Sequence, residues 1–410
     1  MQLANIKNPK NRVILVTLDT VPSNHVGAYG YKTKTTENFD IFASENTLYK
    51  NAYSPVPYTY PAHYSIFSGL YPKNSKIINN TNRKITAPEN TLIAQVFKNA
   101  GYKTAAFLGN VNLNSEEIKK GFDKFDSGTL KTAVDATERG TVDQRSAEKT
   151  NAVATKWITE NKNNGFFAWI HYYDPHSPYR PNCEAPDFVG DKLPDNKTFL
   201  TGDIYDQAKV NTPVSKNDIE YLSARYDQDL YCTDKALGEL FTSLKSLNIY
   251  DDTTIIVVGD HGENFDHGTI FHGDNLYESA IKIPMAVKSS KIPKGTVSSV
   301  VGLIDIYPTM LDLFSLSNFN GKKDGVNLNN KLPANRNLYF QTTKIETTGQ
   351  QVSFDEKISL VAVLKSKYKL IQDFADNNIF ERYNLANDEE ELNKLELDPA
   401  LKNELNIFFE

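Results

Sequence analysis

At 410 residues the chain is long enough for one large α/β domain and a smaller companion. Its 40% hydrophobic and 23% charged residues are ordinary for a globular protein, and a net charge of -6 argues against a nucleic-acid surface, which needs a basic face. No run approaches the ~18 apolar residues that cross a bilayer. Residues 1–12 are polar and lead straight into a strand, so no signal peptide is visible and the chain as written reads as cytoplasmic. A chain trimmed of a leader or anchor would read the same, and its place would then be extracytoplasmic.

Arg12 to Leu18 (RVILVTL) is a short β-branched run ending at Asp19, the pattern of a buried central strand. Thr36 to Glu45 and Ala62 to Ser68 read as helices, and Tyr102 to Leu108 as a second strand. A helix over Ala147 to Asn161 leads into a third strand, Gly165 to Tyr173 (GFFAWIHYY). The 3.6-residue apolar period over Asp218 to Leu247 predicts one long helix. Thr253 to Val258 is a fourth strand, closed by Gly259-Asp260-His261-Gly262, and Leu303 to Phe314 is a further helix. This alternation predicts a mostly parallel sheet covered on both faces. Beyond about residue 316 come short strands, Leu338 to Gln341, Ile358 to Leu364 and Lys369 to Gln372, and then a charged helical tail. The expected fold is therefore α/β: a large mostly parallel sheet sandwiched by helices over residues 1–315, with a small antiparallel α+β subdomain over 316–410 packed on it.

Cys183 falls in a loop and Cys232 in a helical pattern, and neither has a CxxC partner. Two free thiols are the expectation.

Metal-capable residues collect at the strand ends: Asp19, then Asp174 and His176, then Asp260 and His261, with Thr59 opening a helix. In a doubly wound sheet such ends converge on one edge. Two carboxylates, an imidazole and a hydroxyl suit a divalent cation. Coordination would lower the pKa of the Thr59 hydroxyl, and a helix N-terminus would add N–H groups for an anionic ester. Each residue alone has a plainer reading. A strand-end Asp is most often a cap, and Thr followed by Pro is a common helix start. His25 and His171 read as structural, and His267 stands between turn and supporting residue. Phe166, Phe167, Trp169 and Tyr172 read as core packing.

In order, these residues resemble the sulfatase-like branch of the alkaline phosphatase superfamily. The resemblance rests on Val13 through Thr20, Gly27-Ala28-Tyr29-Gly30, Thr59-Tyr60-Pro61-Ala62-His63, Asp174-Pro175-His176-Ser177-Pro178-Tyr179, Gly259-Asp260-His261-Gly262-Glu263, and His272-Gly273. It implies an alkaline phosphatase-like fold and an ester hydrolase or transferase. It also implies Thr59 and His63 as catalytic residues, with Asp19, Thr59, Asp260 and His261 around one divalent ion. By the same likeness His176, His272 and Asn110 are substrate-binding residues.

Two departures shape the expected chemistry. The family signature opens on a Cys or Ser that is oxidised to formylglycine and carries an Arg four residues on, but here Thr59 and His63 stand there. The second Asp of the usual pair after the first strand is Thr20. The set resembles a transition-metal site, with zinc or manganese favoured and calcium as the alternative. A phosphate or phosphonate ester, attacked by Thr59 to give a phospho-threonine, is the expected substrate. The alternatives are a sulfate ester cleaved without formylglycine and a degenerate member that binds an anionic glycan or lipid head group without turnover. No nucleic-acid partner is expected, and the oligomeric state stays open.

Overall fold

A computed structural model describes residues 10–81, 91–128, 145–196, 214–316, 323–333, 335–348, 351–376 and 379–410. The strands are β1 (Arg12–Leu18), β2 (Thr47–Tyr53), β3 (Lys103–Leu108), β4 (Lys124–Asp126), β5 (Phe166–Tyr172), β6 (Thr253–Gly259), β7 (Lys282–Ile283), β8 (Met285–Lys288), β9 (Gly295–Gly302), β10 (Asn337–Thr348), β11 (Gln351–Lys365), β12 (Tyr368–Asp373) and β13 (Phe380–Asn384). The helices longer than a single turn are α1 (Glu37–Glu45), α2 (Thr59–Ser68), α3 (Ile93–Asn99), α4 (Ala147–Asn161), α5 (Lys216–Ser246), α6 (Ile306–Leu313) and α7 (Pro399–Phe409).

The first nine strands form one sheet in the order β4-β3-β5-β1-β6-β8-β2-β7, with β9 on β2. From β4 to β6 every pairing is parallel. The expectation of a mostly parallel sheet holds there, but β7 and β8 run antiparallel to their neighbours. The strands at the centre have both faces buried, which is why β1, β5 and β6 are nearly unbroken apolar runs. Strands β2 and β7 to β9 lack such runs and were not expected. The helix expected over Leu303 to Phe314 begins as a 3-10 turn, Leu303–Asp305, before α6.

Register places the chemistry. Leu18 pairs with Gly259 in β6 and with Tyr172 in β5, so Asp19 and Asp260 leave adjacent strands side by side. Side chains alternate across a sheet. Thr17 and Asp19 therefore continue the face of Val13 and Leu15, His171 that of Phe167 and Trp169, and Asp260 that of Ile256 and Val258. Helix α2, buried at all ten residues, covers this face and supplies Thr59 and His63. The opposite face carries α1, α4 and α5. A reciprocal cap starts α5: Asp218 N–H donates to Ser215 Oγ at 3.1 Å and Ser215 N–H to Asp218 Oδ2 at 3.0 Å.

A second, antiparallel sheet runs β10-β11-β12-β13. One face packs Leu338, Phe340, Leu364 and Tyr383 against Tyr53, Leu276 and Ile281 of the large sheet's side. The other receives Leu401 and Leu405 of α7. Between the sheets Lys369, fully buried, reaches Glu278 at 2.9 Å and Glu391 at 2.6 Å, and Tyr53 Oη donates to Glu278 at 2.9 Å. The expectation of free thiols is wrong. Cys183 and Cys232 form a disulfide, because the loop after β5 folds back over α5 and brings the two Cα atoms to 5.6 Å. Among the described residues no helix is long and apolar enough to cross a membrane.

Candidate functional site

Asp19, Asp260 and His261 present ligand atoms that all lie within 4.8 Å of one another, and all three residues are fully buried. Asp260 Oδ1 is held by the backbone N–H groups of Thr20 (3.1 Å) and His261 (2.7 Å), which leaves Oδ2 turned inward without a partner. Both oxygens of Asp19 also lack one. His261 Nδ1–H donates to the Gly262 carbonyl at 2.9 Å, so Nε2 faces the carboxylates, 3.9 Å from Asp19 Oδ1 and 3.7 Å from Asp260 Oδ2. Gly262 has to be glycine, because a Cβ there would lie 1.9 Å from the Ser279 carbonyl oxygen.

Burial pushes both carboxyls well above the usual carboxylate range, and each is raised further by a neighbouring acid, Glu263 for Asp19 and Asp19 for Asp260. Burial pushes His261 down. Two buried carboxylates with unmade bonds and a bare imidazole nitrogen are what a divalent cation satisfies. The donors present fit such an ion.

Thr59 is the first residue of α2. The capping position is Tyr58, whose side chain makes no cap, and the Thr59 hydroxyl makes none either. It turns instead to His261 Nε2 at 3.2 Å. The plain reading of Thr59 as a helix cap does not describe its geometry. His63, one turn on, lies beneath Thr59. Its Nδ1–H donates to the Thr59 carbonyl at 2.8 Å, and Nε2 meets Thr17 Oγ1 at 3.0 Å.

His272 packs against His261, its ring 4.4 Å away. Nδ1 is fixed by Glu263 Oε1 at 2.9 Å, and Glu263 Oε2 accepts from Tyr179 Oη at 3.1 Å. His176 lies 5.2 Å from His272, ring to ring, and stacks on Tyr173 at 4.5 Å. Asn110 is buried just past β3, at the same sheet edge but beyond β5; its Oδ1 accepts from Asn112 N–H at 2.7 Å and its Nδ2 has no partner. Asp174 stands outside the group: one carboxylate oxygen caps α4 at Ala147 N–H (2.7 Å) and the other takes the Asn182 amide. His267 lies toward the small sheet, stacked on Tyr277 at 3.9 Å, and His25 pairs with Asp227 at 2.7 Å.

Three neighbours of the site are not among the residues expected to be catalytic, metal-binding or substrate-binding. Thr17 and His171 sit side by side in β1 and β5, joined through Oγ1 and Nδ1 at 2.9 Å. His171 is fully buried in β5, and its Nε2 lies 3.2 Å from Asp19 Oδ2, so this core histidine is also a neighbour of the carboxylates. The third is Glu263. The one sequence signal was polarity at alternate positions near the ends of apolar strands.

The family model described as Sulfatase matches residues 11–316. The chain is 24% identical over 350 residues to arylsulfatase K of Mus musculus, an alignment covering 76% of this chain and 62% of that protein. It thus spans about three fifths of the length of that relative. Its fold is similar to that of a protein solved in complex with its substrate D-glucosamine-2-N,6-O-disulfate, at TM-score 0.71 and 18% identity, covering 98% and 97% of the two chains. It is equally similar to the phosphonate monoester hydrolase of Agrobacterium radiobacter, at TM-score 0.72 and 16% identity, covering 97% and 94%.

Proposed function

The chain belongs to the sulfatase family, and from that membership we propose that it is a metal-dependent hydrolase of anionic esters with Thr59 as its nucleophile. The carrying observation is the Thr59 hydroxyl, free of helix capping at the start of a buried helix and 3.2 Å from His261 Nε2, beside the unpartnered oxygens of Asp19 and Asp260 Oδ2. Asp19, Asp260 and His261 would hold one divalent ion, whose chemistry when bound is to lower the pKa of a hydroxyl and offset charge on the ester. Thr59 attacks the central sulfur or phosphorus in line, the alcohol leaves, and water then cleaves the covalent threonine ester. His272 packs against His261 and His176 against His272, and both suit the leaving group or the anionic oxygens. His63 grips the Thr59 carbonyl and positions the nucleophile.

Sulfate esters on an anionic glycan are the substrate class that the relatives support. A second reading, phosphate or phosphonate esters, rests on Thr59 itself. It stands where sulfatases carry the oxidisable residue, so a formylglycine hydrate cannot form, and a threonine oxygen is competent toward phosphorus. A panel of p-nitrophenyl sulfate, a phosphonate monoester, p-nitrophenyl phosphate and bis-p-nitrophenyl phosphate, with zinc, manganese and calcium, tests both. The sulfate ester should be turned over fastest. A tenfold preference for a phosphorus ester, about 1.4 kcal/mol in barrier, would move the assignment to the second reading. No turnover of any ester would sink both. The Cys183–Cys232 disulfide supports an oxidising, extracytoplasmic compartment over the cytoplasm.

A further inference from the structure

We propose that Asn80 is a positioning residue for Thr59: together with His63 it clamps the peptide unit that follows the nucleophile, one side chain at each end. This rests on the reading of Thr59 as nucleophile and adds a residue from a loop outside both α2 and the sheet.

A helix leaves the N–H groups of its first turn without partners in its own backbone. In α2 the usual supplier is missing, because Tyr58 makes no cap and the Thr59 hydroxyl is turned to His261. Tyr60 N–H finds its acceptor elsewhere, in Asn80 Oδ1 at 2.9 Å, 20 residues along the chain. The other end of the same peptide unit is the Thr59 carbonyl, which accepts from His63 Nδ1 at 2.8 Å. A peptide unit is planar, so holding its oxygen and its hydrogen fixes it as one body. The Cα of Thr59 is a corner of that plane, so the clamp pins the point from which the side chain springs. Threonine is stiff at χ1, which leaves little freedom between that Cα and Oγ1.

Asn80 is itself held firmly, although it is only half-buried. Ile77 anchors its loop in the core that α2 packs into. Asn79 is fully buried, and its Oδ1 accepts from both the N–H and the hydroxyl of Thr81 at 3.0 Å, closing a tight turn around Asn80. Capping thus comes from a separate loop, and the Thr59 hydroxyl is left for chemistry. Attack in line needs that oxygen in place, and a displacement of about 1 Å can slow a reaction roughly a hundredfold.

The test compares the whole wild-type chain with Asn80→Ala and Asn80→Asp, in steady-state kinetics on the best ester of the panel, thermal melts and crystal structures. Asn80→Ala should lower kcat roughly tenfold or more while KM stays within about twofold, because attack and not binding is disturbed. Asn80→Asp keeps an acceptor of the same reach, suited to a helix N-terminus, and should return kcat to within about threefold of the wild type. In the Asn80→Ala structure Thr59 Oγ1 should stand more than about 3.5 Å from His261 Nε2. Asn80→Leu, similar in size but without the acceptor, takes the place of Asn80→Ala if that chain does not fold. A lower melting temperature with wild-type kcat would make Asn80 a structural cap only and overturn the inference. Equal loss of kcat in the alanine and aspartate variants would also overturn it. If the wild type turns over no ester, the functional reading fails by itself, and a Thr59–His261 contact unchanged in the variant structure still overturns this inference.

Discussion

Thr59 Oγ1 and His261 Nε2 lie 3.2 Å apart although 202 residues separate them in sequence. The contact joins the start of α2 to the end of β6, and it removes the hydroxyl from helix capping. Thr59→Ala should therefore cost less stability than the ~0.5–2 kcal/mol of a lost cap. Its kcat should fall by roughly a thousandfold or more if Thr59 is the proposed covalent nucleophile. Thr59→Ser should keep measurable activity. Steady-state kinetics beside thermal melts decide it; retention of a tenth of wild-type kcat by Thr59→Ala would remove Thr59 from the chemistry.

Three buried carboxylate oxygens without partners, both of Asp19 and Oδ2 of Asp260, are costly, and a bound cation would relieve that cost. Chelation should abolish turnover and lower the melting temperature, and added zinc should restore both. A ligand at a hundred times its Kd stabilises by about 2.7 kcal/mol. An Asp260→Asn variant should show little zinc-dependent stabilisation in the same melts. Full activity in chelator, with no metal bound, would refute the metal reading.

Glu263 holds His272 with one oxygen and Tyr179 with the other. Removing a group that orients a site imidazole typically costs 10–100-fold, the range expected for kcat/KM of Glu263→Ala. Glu263→Gln should recover part of the loss, since its carbonyl still accepts from His272 and the Tyr179 hydroxyl turns to accept from its amide. Equal loss in both variants would show that charge, not orientation, is what Glu263 supplies.

His267 titrates above the ordinary histidine range. Burial lowers its pKa, but the contact with Asp266 at 3.1 Å and the Glu391 carbonyl outweigh it. A folded pKa above the unfolded value of 6.5 means that the stabilisation is complete below pH 6.5 and is lost as pH rises through the folded pKa. Denaturant midpoints at pH 5.5 and 8.5 should thus fall further in the wild type than in His267→Gln. A parallel pH response in the two proteins would count against it.

Lys369 has no exposed surface and neutralises Glu278 and Glu391 between the two sheets. Lys369→Ala leaves two buried acids facing each other, and breaking such a set costs about 3–5 kcal/mol. Lys369→Met with Glu278→Gln should recover much of that. Urea melts of the single and double variants measure it; a single-variant loss under ~1 kcal/mol would mean water reaches the network.

The sequence made the central strands legible because they are buried on both sides. RVILVTL, FFAWIHY and TTIIVVG are apolar over nearly their whole length, and each gives way to a polar residue at its end. Asp19, Asp260 and His261 stand out for that reason, whereas Thr59 stands out as the start of a helix in the family-like segment Thr59-Tyr60-Pro61-Ala62-His63. Strands β7 to β9 are short or half-exposed and carry no such run. Thr17 and His171 stayed hidden because their meaning lies in register, which is a relation between strands rather than a property of either. The cysteine pair was misread because 49 residues separate two thiols whose meeting depends on how the β5 loop lies on α5.

That crosslink has a practical side. Any single backbone cut between residues 183 and 232 would leave both pieces joined through sulfur. Such a nicked molecule would migrate as one full-length band on a non-reducing gel and as two fragments after thiol treatment. A preparation judged whole by size alone could therefore already be cleaved beside the β5 loop, and only the reduced lane would tell.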